Sequence, residues 1–179
     1  MDLKILIPSI FVVAAILVAY ILIYNILIGS WQKVKEAWSG IDVQLKRRHD
    51  LIGNLIDVAK GYASYEKNLL EKITKERADA LATDPKDLEK LSNLESSLES
   101  DYKSLFAVAE AYPDLKANTV YLQLQKDLVE TEDQIASSRR IYNSNVTAYN
   151  TLIAVFPQNI VAKLGNFKES QFFQKDVAN

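Results

Sequence analysis

The stretch ILIPSIFVVAAILVAYILIYNILI, from Ile5 to Ile28, carries no charged side chain and is interrupted only by Pro8, Ser9 and Asn25. Its 24 residues would reach about 36 Å as an α-helix at roughly 1.5 Å per residue. That length crosses a hydrocarbon core of roughly 30 Å with some tilt. A cleaved signal peptide fits less well, because its apolar region usually runs about 7–15 residues and ends at a small-residue cleavage site. The expected organisation is a short exported tail at residues 1–4, a transmembrane helix over 5–29, and a helical bundle over 30–179. Ile5, Phe11, Leu17, Tyr24 and Ile28 mark the membrane anchor, so the lipid bilayer is the first partner implied. Tyr20, Tyr24 and Trp31 gather near its far end, where aromatic side chains favour the membrane interface.

Basic residues flank this span unequally. Lys4 precedes it, whereas Lys33, Lys35, Lys46, Arg47 and Arg48 follow it. Basic segments stay on the cytoplasmic side, which predicts a single-pass protein of the cytoplasmic (inner) membrane with its N-terminus outside and its C-terminal domain in the cytoplasm.

Composition narrows the rest. The 21 Lys and Arg against 23 Asp and Glu give a net charge of −2, which argues against nucleic acid as a partner through bulk charge. With no Cys and one His, His49, thiolate sites and histidine clusters are excluded, and no metal or cofactor is expected. The phosphate-cradling and zinc-hydrolase motifs are likewise missing. Five Gly and four Pro in 179 residues are too few for a turn-rich β-protein, so the expected fold is all-α.

Beyond the span, apolar residues recur at helical spacing. Trp38, Ile41, Leu45, Ile52, Ile56, Ala59, Ala63, Leu70 and Ile73 form one row, beside a second of Leu51, Leu55, Val58, Tyr62 and Leu69. The pattern predicts a first long helix from about Trp31 to Leu81. Thr83-Asp84-Pro85 reads as a stop and restart, with Asp84 as cap and Pro85 in the first turn. A second helix follows over about Lys86–Tyr112, with Leu88, Leu91, Leu98, Tyr102, Leu105, Ala109 and Tyr112 on one face, and Pro113 ends it. Tyr121, Leu124, Leu128, Ile135, Tyr142, Val146, Tyr149, Ile153 and Phe156 mark a third, up to Pro157. A short apolar piece, Ile160, Val161 and Leu164, closes an antiparallel bundle of three long helices plus a short C-terminal one. Phe167, Phe172 and Phe173 predict that the tail folds back on the bundle, with the membrane surface as the other destination.

Some polar residues break the pattern. Arg47, Asp50, Asn54 and Asp57 form an outward row of ordinary surface charges. Arg48 and His49 instead fall among Ile41, Leu45, Leu51, Ile52, Leu55 and Ile56. Glu132 and Arg139 alternate with Leu128, Ile135, Tyr142 and Val146, while Asn145 sits with Ile141 and Tyr149. Unpaired, an inward charge would cost several kcal/mol. Arg48, His49, Glu132, Arg139 and Asn145 are therefore expected to form an inward polar network, structural rather than catalytic.

The run Ala37-Trp38-Ser39-Gly40-Ile41-Asp42-Val43-Gln44-Leu45-Lys46-Arg47-Arg48-His49-Asp50-Leu51-Ile52, continued in Val58-Ala59-Lys60-Gly61-Tyr62, resembles the signature of the LemA family. So do Leu124-Gln125, Thr131-Glu132, Arg139-Arg140-Ile141-Tyr142-Asn143, Tyr149-Asn150 and Phe156-Pro157. The resemblance covers most of the chain. It implies a bacterial membrane protein with a short exported N-terminus, a cytoplasmic helical bundle and no recognised enzymatic activity. Two departures stand out: Gly53 takes a position usually held by Pro, where it permits a bend rather than imposing one, and Gly165-Asn166-Phe167 replaces Gly-Phe.

The expected function is a non-catalytic, self-assembling membrane-anchored scaffold or interaction protein with unknown membrane or cytoplasmic partners. A membrane-remodelling lattice is one alternative. Another is a subunit of a membrane enzyme with a polar pocket at Arg48, His49, Glu132 and Arg139. Because the expected second helix is shorter than the first, the row Trp38, Ile41, Leu45, His49 and Ile52 is expected to lie uncovered in one copy. Trp38, Ile41, Leu45 and Ile52 become candidates for a homo-oligomer interface. A sharp bend at Gly53 or Gly61 would instead fold the row inward.

Overall fold

The computed structural model describes residues 3–62 and 66–173, without the side chains of residues 3–6 and 8. Residues 1 and 2 of the N-terminal tail, the Ile5 side chain and Ala63 lie outside it. The described residues are mostly helical and include no strand. In chain order the helices are α1 (Leu3–Lys60), α2 (Lys67–Ala82), α3 (Leu88–Ala109), α4 (Pro113–Lys116), α5 (Thr119–Ala154) and α6 (Gln158–Leu164). The chain divides into two compact units, residues 1–37 with 141–171 and residues 38–140 with 172–179.

In the second unit the expected first long helix is two helices. α1 ends at Lys60, where the Gly61 and Tyr62 amides bond back to the Val58 and Ala59 carbonyls. Glycine costs a helix interior close to 1 kcal/mol relative to alanine, and here it marks the break. At Gly53, by contrast, α1 runs straight through. The guanidinium of Arg77 on α2 lies against Gly53, where an added Cβ would meet it at 3.3 Å, and Arg77 Nε donates to the His49 carbonyl at 2.6 Å.

This return of α2 along α1 corrects the expectation of a bare apolar row. Ile41, Leu45 and Ile52 are 0%, 5% and 0% exposed within one chain, and Trp38 packs edge-to-face on the buried Phe173 ring. The row is covered because the chain turns back at Gly61 rather than near Thr83, which brings α2, α3 and α5 to its level: Arg77 meets His49, and Arg48 meets Glu95 and Glu132. Ile52, Leu55, Ile56, Ile73, Leu98, Tyr102, Leu105, Tyr121 and Leu128 belong to one core. Burying each large aliphatic there stabilises the bundle by about 1.5–3 kcal/mol.

Caps explain the remaining boundaries. The Asp84 carboxylate accepts from the Lys86 amide and shapes the turn, while Asp87 accepts from the Lys90 amide and caps α3. The cap is thus Asp87, not Asp84. Pro113 opens the one-turn α4 after α3 has stopped at Ala109, and Asn118 caps α5 by accepting from the Val120 and Tyr121 amides.

In the first unit, α1 side chains are exposed at residues 7 and 9–19. Phe11 and Leu17 are 71% and 57% exposed, Tyr24 is exposed and Ile28 half-buried. The 24 residues from Ile5 to Ile28 are almost all apolar and carry no charge. A soluble core helix of that composition would be covered by protein, so α1 has the length, composition and exposure of a membrane span. Leu27 is buried with Val161 and Ala162 of α6, flanked by Tyr20, Ile23, Leu152, Ile153 and Phe167.

The tail folds back as expected. Within the first unit Tyr142 and Tyr149 donate their hydroxyls to the Gln171 and Lys168 carbonyls. Asn150 forms a reciprocal pair with the Ser170 backbone, both bonds at 2.9 Å.

Candidate functional site

The inward charges meet inside the second unit. Arg48 on α1 donates to Glu132 on α5 at 2.8 Å and to Glu95 on α3. Next to it, His49 Nε2 lies 2.8 Å from Glu95 Oε1; a carboxylate only accepts, so Nε2 carries the proton. Tyr102 on α3 donates its hydroxyl to the same Glu132 oxygen at 2.7 Å. One guanidinium thereby ties three helices.

Burial is nearly complete at Arg48, His49 and Glu95. It is the largest single influence on Arg48 and opposes its charge, yet Glu95 and Glu132 together outweigh it and raise its pKa. Burial likewise works against the Glu95 carboxylate. The His49 hydrogen bond and the Arg48 charge overcome it and hold Glu95 below the usual carboxylate range. Burial, followed by the Glu132 charge, pushes the Tyr102 hydroxyl upward and keeps it a donor.

Of the five residues expected in this network, Arg48, His49 and Glu132 belong to it. Arg139 is half-buried on α5 and has no bond to the cluster among the described residues. Asn145 lies in the other unit, where its amide donates to the Lys33 carbonyl at 3.3 Å. Arg139 shares the face of Glu132 but stands about two turns beyond it, past the level of Arg48, while Asn145 stands nearly four turns beyond it and on another side of α5. Glu95, Tyr102 and Arg77 complete the cluster. Glu95 had a legible signal, for it fills the gap between Leu91 and Leu98 in the inward row of α3.

Beside the cluster is a cleft of about 350 Å³ whose walls include Trp38, Leu45, His49, Leu81, Leu91 and Glu95. His49 Nδ1 and Arg48 Nε are buried with no hydrogen-bond partner among the described residues. Arg48, Glu132 and Arg139 do not line the cleft, so the expected four-residue pocket is not assembled. No group of three or more His, Cys, Asp or Glu suited to a metal occurs among the described residues.

A bare apolar helix joined to a bundle with closed internal ion pairs defines a membrane-associated all-α protein. The LemA family model matches residues 37–179, and the chain belongs to the LemA family. It is 32% identical over 152 residues to Protein LemA of Metamycoplasma hominis, covering 84% of this chain and 68% of that one. It is also 25% identical over 199 residues to Magnetosome protein MamQ 1 of Paramagnetospirillum magneticum, covering 95% and 71%. The MamQ of Magnetospirillum gryphiswaldense is 22% identical over 194 residues, with the same coverage.

Proposed function

We propose that this protein is a non-catalytic, self-assembling scaffold anchored by α1 in the cytoplasmic membrane, with its helical bundle in the cytoplasm. The observation that carries the reading is the closed pairing of Arg48 with Glu95 and Glu132. Those charges are engaged in joining helices, which leaves the outer faces to make contacts. Copies held in one bilayer meet at high local concentration. Leu122 and Val129, seven residues apart and so on one face of α5, are 47% and 56% exposed and offer a contact surface in place of the covered row. The relatives named as LemA and as magnetosome proteins are consistent with membrane association. A photo-crosslinking residue at Val129, activated in native membranes, should yield products at multiples of the chain's own mass. Crosslinks to no protein at all would overturn the scaffold.

The cleft favours a second reading, a ligand-binding subunit of a membrane enzyme, because His49 and Glu95 both reach its wall. Replacing His49 by Gln would then abolish the associated activity in protein that still folds, as its helical circular dichroism would show.

A further inference from the structure

We infer that the corner between α5 and α6 is a second membrane contact, inserted among the lipids of the leaflet at the C-terminal end of the α1 span. The inference rests on α1 crossing the membrane. A hydrocarbon core of roughly 30 Å takes about 20 helical residues, which from Ile5 reaches about Tyr24. Protein cover on α1 begins before that point, because Tyr20 and Ile23 are half-buried and pack around Leu27, Val161 and Ala162. Residues 5–19 alone span only about 22 Å. The α5–α6 corner therefore stands level with the last turns of the span.

Its outer side chains suit that level. Phe156, Ile160 and Leu164 follow one another at four-residue spacing and are 77%, 51% and 72% exposed. Val161 and Ala162 face inward. A surface helix normally turns its polar residues outward, and a neighbouring bilayer covers the outward Ile160 and Leu164 at this height. The only charges between Thr151 and Lys168 are Lys163 and Lys168, both exposed and suited to anionic headgroups at the edge of the inserted patch.

The test uses the full Cys-free chain reconstituted in phosphatidylcholine–phosphatidylglycerol vesicles, with a single Cys carrying an environment-sensitive fluorophore. Labels replace Ile160, Leu164, Leu17 as the span control, or Val129 as the bundle control. Lipids bearing a shallow nitroxide should quench labels at 160 and 164 at least roughly twofold more than at 129, with blue-shifted emission, as expected for side chains in the headgroup–acyl boundary. If a deep nitroxide quenches position 17 while positions 160 and 164 respond only to aqueous iodide, the corner is not inserted. Shielding of 160 and 164 from both iodide and nitroxide would mean a second protein copy covers them and would equally overturn the inference. Failure of position 17 to respond to either lipid quencher would instead remove the spanning helix on which it rests.

Discussion

Arg48 and Glu132 are 84 residues apart in the chain, and a 2.8 Å hydrogen bond joins them. With Glu95 on the other arm of the guanidinium, the pairing fixes the register of α1, α3 and α5 at one level. Removing only the cation leaves the buried Glu95 carboxylate and the half-buried Glu132 carboxylate without the guanidinium that joins them. Arg48→Met should cost on the order of 3–5 kcal/mol and lower the thermal midpoint of the detergent-solubilised protein sharply. The combined change Arg48→Met, Glu95→Leu and Glu132→Leu, made together with His49→Leu and Tyr102→Phe so that the donors to those carboxylates are not left buried and unpaired, should recover most of that loss, since an apolar replacement of a whole buried ion cluster is often neutral or better.

The same cluster sets an acid limit. Glu95 titrates lower in the folded protein than its ordinary value of 4.5. Its contribution to stability is therefore complete above that ordinary value and is lost as pH falls towards the depressed one. Urea midpoints measured from pH 6 down to pH 3 should decline, and Glu95→Gln should start lower and decline less steeply over that interval. An identical acid slope in the variant would show that Glu95 is not the group responsible.

At Gly165 the tail turns under its own aromatic ring. An added Cβ would stand 2.7 Å from the Phe167 ring and 3.3 Å from Tyr24, and Asn166 follows with φ of 55°, a conformation Asn tolerates better than most residues. Gly165→Ala should displace Phe167 from its edge-to-face contact with Tyr24 and destabilise the first unit by about 1–3 kcal/mol, the usual cost of overpacking. Faster protease cleavage after Lys168 would report it.

The orientation proposed for the bundle predicts that Lys86→Cys, in the exposed turn before α3, resists a membrane-impermeant maleimide in intact cells and reacts once the cells are permeabilised. Reaction in unbroken cells would reverse the orientation.

How much of this was legible in the sequence follows from the range of each interaction. The apolar span, the all-α fold, the inward rows and the inward Arg48, His49 and Glu132 depend on spacing along one helix, and spacing is visible in the chain. The break at Gly61 was harder, because the apolar rows continue across it and only the return of Arg77 onto His49 shows the reversal. Partnership was harder still. Periodicity places Arg139 and Asn145 on two separate apolar rows, but the level at which helices meet is set by packing, and that level joins Glu132 to Arg48 and leaves Arg139 outside. Glu95 could have been found as the acid interrupting an apolar row opposite two buried bases.

The scaffold itself is tested most directly by the mass of the full-length chain in mild detergent, with the detergent contribution subtracted. The unmodified protein should form particles of more than one 20.2 kDa chain, and these should shift towards a single chain when Leu122→Asp and Val129→Asp are combined. An unmodified protein that stays at the mass of one chain over a wide range of concentrations, or oligomers unmoved by both substitutions, would contradict self-assembly through α5.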